Sequence, residues 1–224
     1  MSQRNRHHTL LQDVTCFLFD LDGTLIDSSP CHEKAFFRTL ETDHPDLVGS
    51  FVYEEHKGKS TKETFESLGV TDANLLSMMT QRKQSFYRQM VEDGEVTAFP
   101  GARELLLSLR KQGHRAWIVT GASRHSAESA LSKLGLLDYF EALITAEQTA
   151  RTKPAPDLYL RCLADHSIEP ASAIALEDAL AGIQSAQAAG LKVVAVNNIE
   201  LSHLPEFVGS LKDLHDTWLS LKHD

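Results

Sequence analysis

Cysteine is scarce in this chain: Cys16, Cys31 and Cys162 are the only three in 224 residues. Scattered, odd in number and without a C-x-x-C spacing, they argue against a disulfide framework and read as reduced thiols. Positive charge is also in short supply. Lys and Arg number 22 against 31 Asp and Glu, a formal charge of −9. That balance argues against a nucleic-acid partner, whose phosphates require a basic face. An acidic chain that handles anions must instead gather a few positive groups in one place. Long apolar runs are missing: nowhere do about 18 apolar residues follow one another, so no membrane span is expected. The opening "MSQRNRHHTLLQD" lacks the apolar stretch of a signal peptide, so the expected location is cytoplasmic. Eleven histidines are present, but no HExxH spacing collects them, which disfavours zinc. There is no internal repeat and no low-complexity linker.

What is present is a 42% apolar chain of ordinary globular composition, enough for one large domain or a core with a smaller insert. Short apolar runs of strand length recur at Thr15–Phe19, Ala116–Val119, Ala142–Ile144, Ala173–Leu176 and Lys192–Val196. Between the later runs lie helical patterns: "PGARELLLSLRKQG", "SRHSAESALSKLG" with Ser123 as its cap, and "DALAGIQSAQAAG". Their closing glycines, Gly113, Gly135 and Gly190, mark the usual left-handed stop. Near-continuous apolar strands alternating with helices predict an α/β fold, a Rossmann-like doubly wound parallel sheet covered on both faces.

One stretch breaks the alternation. From residue 29 to 96, helical patterns follow one another in "CHEKAFFRTLE", "STKETFESLG" and "DANLLSMMTQRKQSFYRQMVEDG", with "SFVYEEH" a weak strand candidate. This predicts a helical cap domain over 29–96 inserted into a core formed by 1–28 and 97–224. Hinges are expected near Asp27–Pro30 and Val96–Pro100. Met78, Met79, Phe86, Tyr87 and Met90 are spaced for the apolar face of the last cap helix.

The strand ends carry the chemistry. The first run ends in Asp20-Leu21-Asp22-Gly23-Thr24 and the second in Thr120-Gly121-Ala122. Thr152-Lys153-Pro154 follows the third, and the fourth ends in Glu177-Asp178. Ligands of open α/β sheets bind beyond the carboxyl ends of the strands, so these segments are expected to converge. Clustered carboxylates need a cation, and an all-oxygen set selects a hard one such as Mg²⁺. One lysine, a threonine hydroxyl and free turn amides form a phosphate grip. Gly23 permits the bend that would swing Asp22 towards a leaving oxygen.

In this order, Asp20-Leu21-Asp22-Gly23-Thr24, Thr120, Lys153 and Glu177-Asp178 resemble the four motifs of the haloacid dehalogenase superfamily. "FPGARELLLSLRKQGHRAWIVTGAS", "TKPAPDLYL" and "EDALAGIQSAQAAG" are similar to its β-phosphoglucomutase-like and phosphoglycolate-phosphatase-like branch, which carries a helical cap between the first and second motifs. The resemblance implies a Mg²⁺-dependent phosphatase acting on a small phosphorylated metabolite of the phosphosugar or phosphoglycolate class, or alternatively a β-phosphoglucomutase-type phosphosugar isomerase using the same aspartyl phosphate. Under it, Asp20 becomes an aspartyl phosphate, Asp22 serves as general acid and base, and Thr120 and the Gly121 amide bind phosphoryl oxygens. Lys153 neutralises charge, with Pro154 biasing its backbone to an extended form. Asp20, the Asp22 carbonyl, Asp178 and Glu177, the last through water, would surround the metal. No nucleic acid or membrane is implied as partner, and a monomer or homodimer is expected.

His32 stands where that branch often places a hinge histidine. "HKGKS" is no phosphate loop, because Tyr53 stands where the first glycine is required and no apolar strand precedes it. It is expected instead as a cap loop from which Lys57 or Lys59 reaches an anionic substrate. Two departures from the branch are visible: Ala179 replaces a common serine, and Thr61 and Lys62 stand where mutases tend to carry an arginine.

Overall fold

The computed structural model describes residues 10–57 and 59–220. The chain forms two compact units: one holds the chain up to Asp27 and from Thr97 onward, the other Ser28–Val96.

The first unit is built on a six-stranded sheet. Its strands are β1 (Cys16–Phe19), β4 (Arg115–Val119), β5 (Leu143–Ile144), β6 (Ala173–Glu177), β7 (Lys192–Val196) and β8 (Phe207–Gly209). The order is β5-β4-β1-β6-β7-β8, and every pairing is parallel. Because side chains alternate between faces along a strand, β1 serves two cores. Cys16 and Leu18 join Trp117, Val119, Ala173, Ala175, Val193 and Ala195. Under them lie α6 (Asp157–Asp165) and α7 (Leu180–Ala188), through Leu158, Tyr159, Cys162, Ile183 and Ala186. Phe17 and Phe19 point the other way. The ring of Phe17 meets Trp218 of α8 (Leu211–Ser220) edge-on at 5.3 Å, and that of Phe19 meets Phe140 at 5.9 Å. Helix α4 (Ala102–Lys111) buries Leu105, Leu106 and Leu109, and α5 (Arg124–Lys133) starts at Ser123, whose hydroxyl accepts from the Ser126 amide.

The five expected strands are all present. The sequence reading did not find β8, a three-residue, half-buried edge strand, or the antiparallel pair β2 (Ile26–Asp27) and β3 (Thr97–Ala98), two residues each. Such short ladders carry too few side chains for a period-2 pattern to register.

The second unit is helical: α1 (Ser29–Asp43), α2 (Thr61–Ser67) and α3 (Ala73–Glu92). Local chemistry fixes two of the starts. Ser60 and Glu63 form a reciprocal capping box, and the Asp72 carboxylate accepts from the Leu75 amide at 2.7 Å. Its core joins Phe36, Leu40, Phe51, Tyr53, Phe65, Val70, Leu76 and Met79.

Two expectations are corrected here. "SFVYEEH" is not a strand; Tyr53–His56 is a 3-10 turn, with Phe51 and Tyr53 packed against the ring of Phe36 rather than against a ladder partner. On α3, Met79, Tyr87 and Met90 are buried, but Met78 is 43% exposed and Phe86 only half-buried. The buried stripe runs instead through Leu76, Met79, Lys83, Tyr87 and Met90, so a lysine holds a core position.

Candidate active site

Sheet register assembles the site. Phe19 pairs with Ile118 on one side and Leu176 on the other. One residue further along, Asp20 therefore lies between Val119 and Glu177, with Thr120 just beyond. The Asp20 amide donates to Leu176 O at 3.0 Å, and the Thr120 amide to Ile144 O at 2.9 Å. After Asp20 the chain closes on itself: the Leu25 and Ile26 amides both donate to Leu21 O, and the Gly23 amide donates to Ile26 O. Gly23 sits at φ +85°, the left-handed conformation that a side chain disfavours. A Cβ there would also stand 2.0 Å from Asp178 Oδ2. Glycine thus leaves the space into which the Asp178 carboxylate folds, with Thr24 Oγ1 donating to its Oδ1 at 3.4 Å.

Lys153 arrives from the loop before α6. Its Nζ donates to Asp20 Oδ1 at 2.5 Å and Val119 O at 2.8 Å, and lies 2.6 Å from Glu177 Oε1. The Lys153–Pro154 peptide is cis. The loop is braced twice: Arg151 pairs with Asp157 through Nε at 3.1 Å and Nη2 at 2.9 Å, and Ser185 Oγ of α7 donates to Ala155 O at 2.6 Å. The Tyr159 hydroxyl donates to Glu177 Oε1, and the Tyr159 ring lies 5.2 Å from the Lys153 ammonium. At the turn after β4, Thr120 Oγ1 accepts from the Ala122 amide at 3.0 Å. A hydroxyl also carries one donor, which this bond leaves available.

Burial dominates the electrostatics. It raises the Asp20 carboxyl above its ordinary range; the Lys153 charge and hydrogen bond oppose it, and the Asp22 charge adds to the rise. Burial pushes Glu177 up to about 8, again against Lys153 and with Asp20 reinforcing it. Burial alone would lower Lys153, but the Asp20 and Glu177 carboxylates more than reverse this and hold it well above its usual value. Burial, then the Glu177 charge, pushes the Tyr159 phenol up, so it remains a donor.

Asp20, Glu177 and Asp178 each bring a carboxylate oxygen within 4.8 Å of the others. Among the described residues, the ammonium that pairs with this group is that of Lys153, bonded to Asp20 and Glu177. The excess of negative charge once all three are ionised, the all-oxygen donors and the glycine-lined seat of Asp178 fit a hard divalent cation.

The shifts have a consequence for metal-free protein. Folded Glu177, with Asp20 moving in the same direction, holds its proton up to about 8, whereas the unfolded carboxyl releases it near 4.5. Between those values the native state binds more protons, so folding is favoured less as pH rises. The melting temperature of magnesium-free protein is expected to fall between about pH 5.5 and pH 8.5. Glu177→Gln should flatten that slope. Mg²⁺ should raise the melting temperature more at the alkaline end, because its ligands must be ionised. A melting temperature that climbs across this window in metal-free wild type would contradict the assignment.

Two residues expected to contribute lie in the helical unit. His32 Nδ1 is 2.6 Å from Lys83 Nζ, and its ring stacks on Tyr87 at 4.0 Å. Lys83, 4% exposed, also sits 4.6 Å over the Phe36 ring. Lys57 is a surface residue 3.9 Å from Glu54; its neighbour Gly58, within "HKGKS", lies outside the described residues.

Sequence reasoning missed Tyr159, Ser185, Lys83, Asn197 and Asn198. Asn198 Nδ2 donates to Asp178 O at 2.8 Å, and Asn197 Nδ2 to Gly23 O and Thr24 O at 3.2 and 2.8 Å. A signal existed for the asparagines: they directly follow the apolar run Lys192–Val196, as the other site residues follow theirs.

Comparison with known proteins places this architecture. A family model described as haloacid dehalogenase-like hydrolase matches residues 17–196. Hexitol phosphatase A of Escherichia coli is 36% identical over 183 residues, covering 81% of this chain and 82% of that protein. Protein CbbY of Rhodobacter capsulatus is 31% identical over 195 residues, covering 81% and 85%. A crystal structure of β-phosphoglucomutase from Clostridium difficile shares the fold, with a TM-score of 0.73 at 21% identity, covering 92% of this chain and 99% of that one. The chain belongs to the haloacid dehalogenase-like hydrolases.

Proposed function

We propose that the protein is a Mg²⁺-dependent phosphatase of a small phosphorylated metabolite of the phosphosugar class, working through a phosphorylated Asp20. The observation that carries this reading is the Lys153 ammonium, held between Asp20 and Glu177 at 2.5 and 2.6 Å at the end of the central strands. A single buried cation beside a buried carboxylate allows that carboxylate to approach an anionic phosphoryl group. The name of the 36% identical relative, a hexitol phosphatase, supports the substrate class.

In the first step Asp20 Oδ attacks phosphorus, the bond from phosphorus to the ester oxygen breaks, and the Asp22 carboxyl gives its proton to the departing alkoxide. In the second, Asp22 takes a proton from water as the water oxygen attacks phosphorus. Asp20 is released as carboxylate, and inorganic phosphate leaves. Lys153, the Thr120 hydroxyl and the Gly121 amide neutralise and orient the transferring group. Asp20, Asp178, the Asp22 carbonyl and Glu177, through water, would hold Mg²⁺, which supplies charge neutralisation and orientation of the phosphoryl oxygens. Substrate selection falls in this reading to the helical unit, with His32 and Lys57 as its candidate contacts.

The test is a panel of phosphomonoesters, hexitol and hexose phosphates among them, assayed for free phosphate with Mg²⁺, with EDTA, and with Mg²⁺ restored. Phosphate release from a member of the panel, abolished by EDTA and recovered with Mg²⁺, is the expected result. Turnover indifferent to EDTA would overturn the metal assignment, and sugar-phosphate isomer formation without net phosphate release would replace hydrolysis by a mutase reaction.

A further inference from the structure

At the carboxyl end of β7, two consecutive asparagines tie the site together in the same manner. Asn197 donates through Nδ2 to Gly23 O at 3.2 Å and Thr24 O at 2.8 Å, while its Oδ1 accepts from the Leu211 amide at 3.2 Å, at the start of α8. Asn198 donates through Nδ2 to Asp178 O at 2.8 Å, while its Oδ1 accepts from the Glu200 amide at 3.1 Å and caps the turn Ile199–His203. Each amide group thus faces the site with its donor and the scaffold with its acceptor. Asn197 does so from a left-handed backbone, φ 60°, which asparagine tolerates better than most residues that carry a Cβ. Its main-chain amide is anchored separately, to Gly209 O at 2.7 Å.

The segments so held are the two that must stay in register. The loop of Gly23 and Thr24 forms the seat of the Asp178 carboxylate, where a Cβ on residue 23 would come within 2.0 Å of Asp178 Oδ2. Asn197 fixes the seat, and Asn198 fixes the main chain from which the Asp178 carboxylate springs. We propose that Asn197 and Asn198 are positioning residues for the divalent cation, setting the separation between the Asp178 carboxylate and the loop that follows Asp20. In that role they would touch neither substrate nor cation. They act through the carbonyls of Gly23, Thr24 and Asp178, as groups behind metal ligands commonly do.

The inference rests on the metal-dependent reading above, and the experiment separates the two. Metal-free wild type, Asn197→Asp and Asn198→Asp are titrated with Mg²⁺ by calorimetry, at a temperature where circular dichroism shows each folded. Asp keeps the acceptor in both places and removes only the donor. It also adds a negative charge near the site, which by itself would favour Mg²⁺. A dissociation constant raised by about tenfold in each variant is expected in spite of that charge. Asn197→Gly and Asn198→Ser, which add no charge and keep the backbone or the cap, should move the same way and stand in for either Asp variant that fails to fold. Ser60→Ala, which weakens the capping box of α2 in the helical unit, controls for loss of stability alone and should leave the Mg²⁺ affinity unchanged. If wild type binds Mg²⁺ and the asparagine variants bind it equally well or better, the positioning role is wrong. If wild type itself binds none, the metal-dependent reading fails instead.

Discussion

Asp20→Asn is expected to lower turnover of a phosphomonoester by at least about 10³-fold, with the fold kept. The amide matches the carboxylate in shape but offers no anionic oxygen to phosphorus, so the covalent step has no nucleophile. The surroundings give reason to expect a folded variant. Lys153 would keep its bonds to Val119 O at 2.8 Å and Glu177 at 2.6 Å. Removing the Asp20 charge, which helps to raise Glu177, lets Glu177 ionise more readily and serve as the counter-charge of the buried ammonium. The Asp20 main chain would remain tied to Leu176 O. Single-turnover assays on the preferred substrate, with circular dichroism as the control for folding, measure the effect. Residual activity within tenfold of wild type would reject Asp20 as the attacking group.

Gly182→Ala is expected to be a costly single-methyl change in the core unit. On α7 a Cβ at this position would stand 1.9 Å from Glu177 Oε2 and 2.5 Å from Oε1. A flexible carboxylate could step aside, but this one, 1% exposed, is held by Tyr159 and Lys153. Moving it breaks those contacts at a buried site, and leaving it in place forces the helix off the sheet. Either response costs about 3 kcal/mol. In a chain of this size that lowers the melting temperature by roughly 6–12 °C. Because the displaced Glu177 takes Lys153 with it, kcat should fall as well, even at temperatures where the variant is fully folded. Calorimetric melting together with kcat at 20 °C checks both parts; an unshifted melting temperature would show that the carboxylate has room the geometry denies it.

The strands and the helix starts were legible because their signals are local. Apolar runs of four or five residues ending in Asp20, Thr120 and Glu177 show strand and chemistry together, and Ser123 announces its helix by capping chemistry alone. The pairs formed by β2 and β3 were not legible, since two residues carry no period. "SFVYEEH" misled because Phe51 and Tyr53 alternate like a strand, yet their rings are claimed by Phe36. Lys83 was hidden for a related reason: its place in the buried stripe of α3 follows from helical spacing, but a lysine there reads as solvent-facing until its contacts with His32 and Phe36 are seen. Tyr159 sits within the apolar run of α6 and reads as core; only the fold brings its hydroxyl to Glu177. What the sequence conceals in each case is the partner, which lies far away along the chain and close by in space.

The two-residue ladder of β2 and β3 has a consequence for how this architecture diversifies. Ile26 lies opposite Ala98 and Asp27 opposite Thr97, so the chain departs from the sheet-bearing unit and rejoins it at facing residues. Whatever is spliced between those points leaves the parallel strands and their register untouched. The intervening helices can therefore be lengthened, shortened or replaced while the strand ends that carry Asp20, Thr120 and Glu177 are inherited whole.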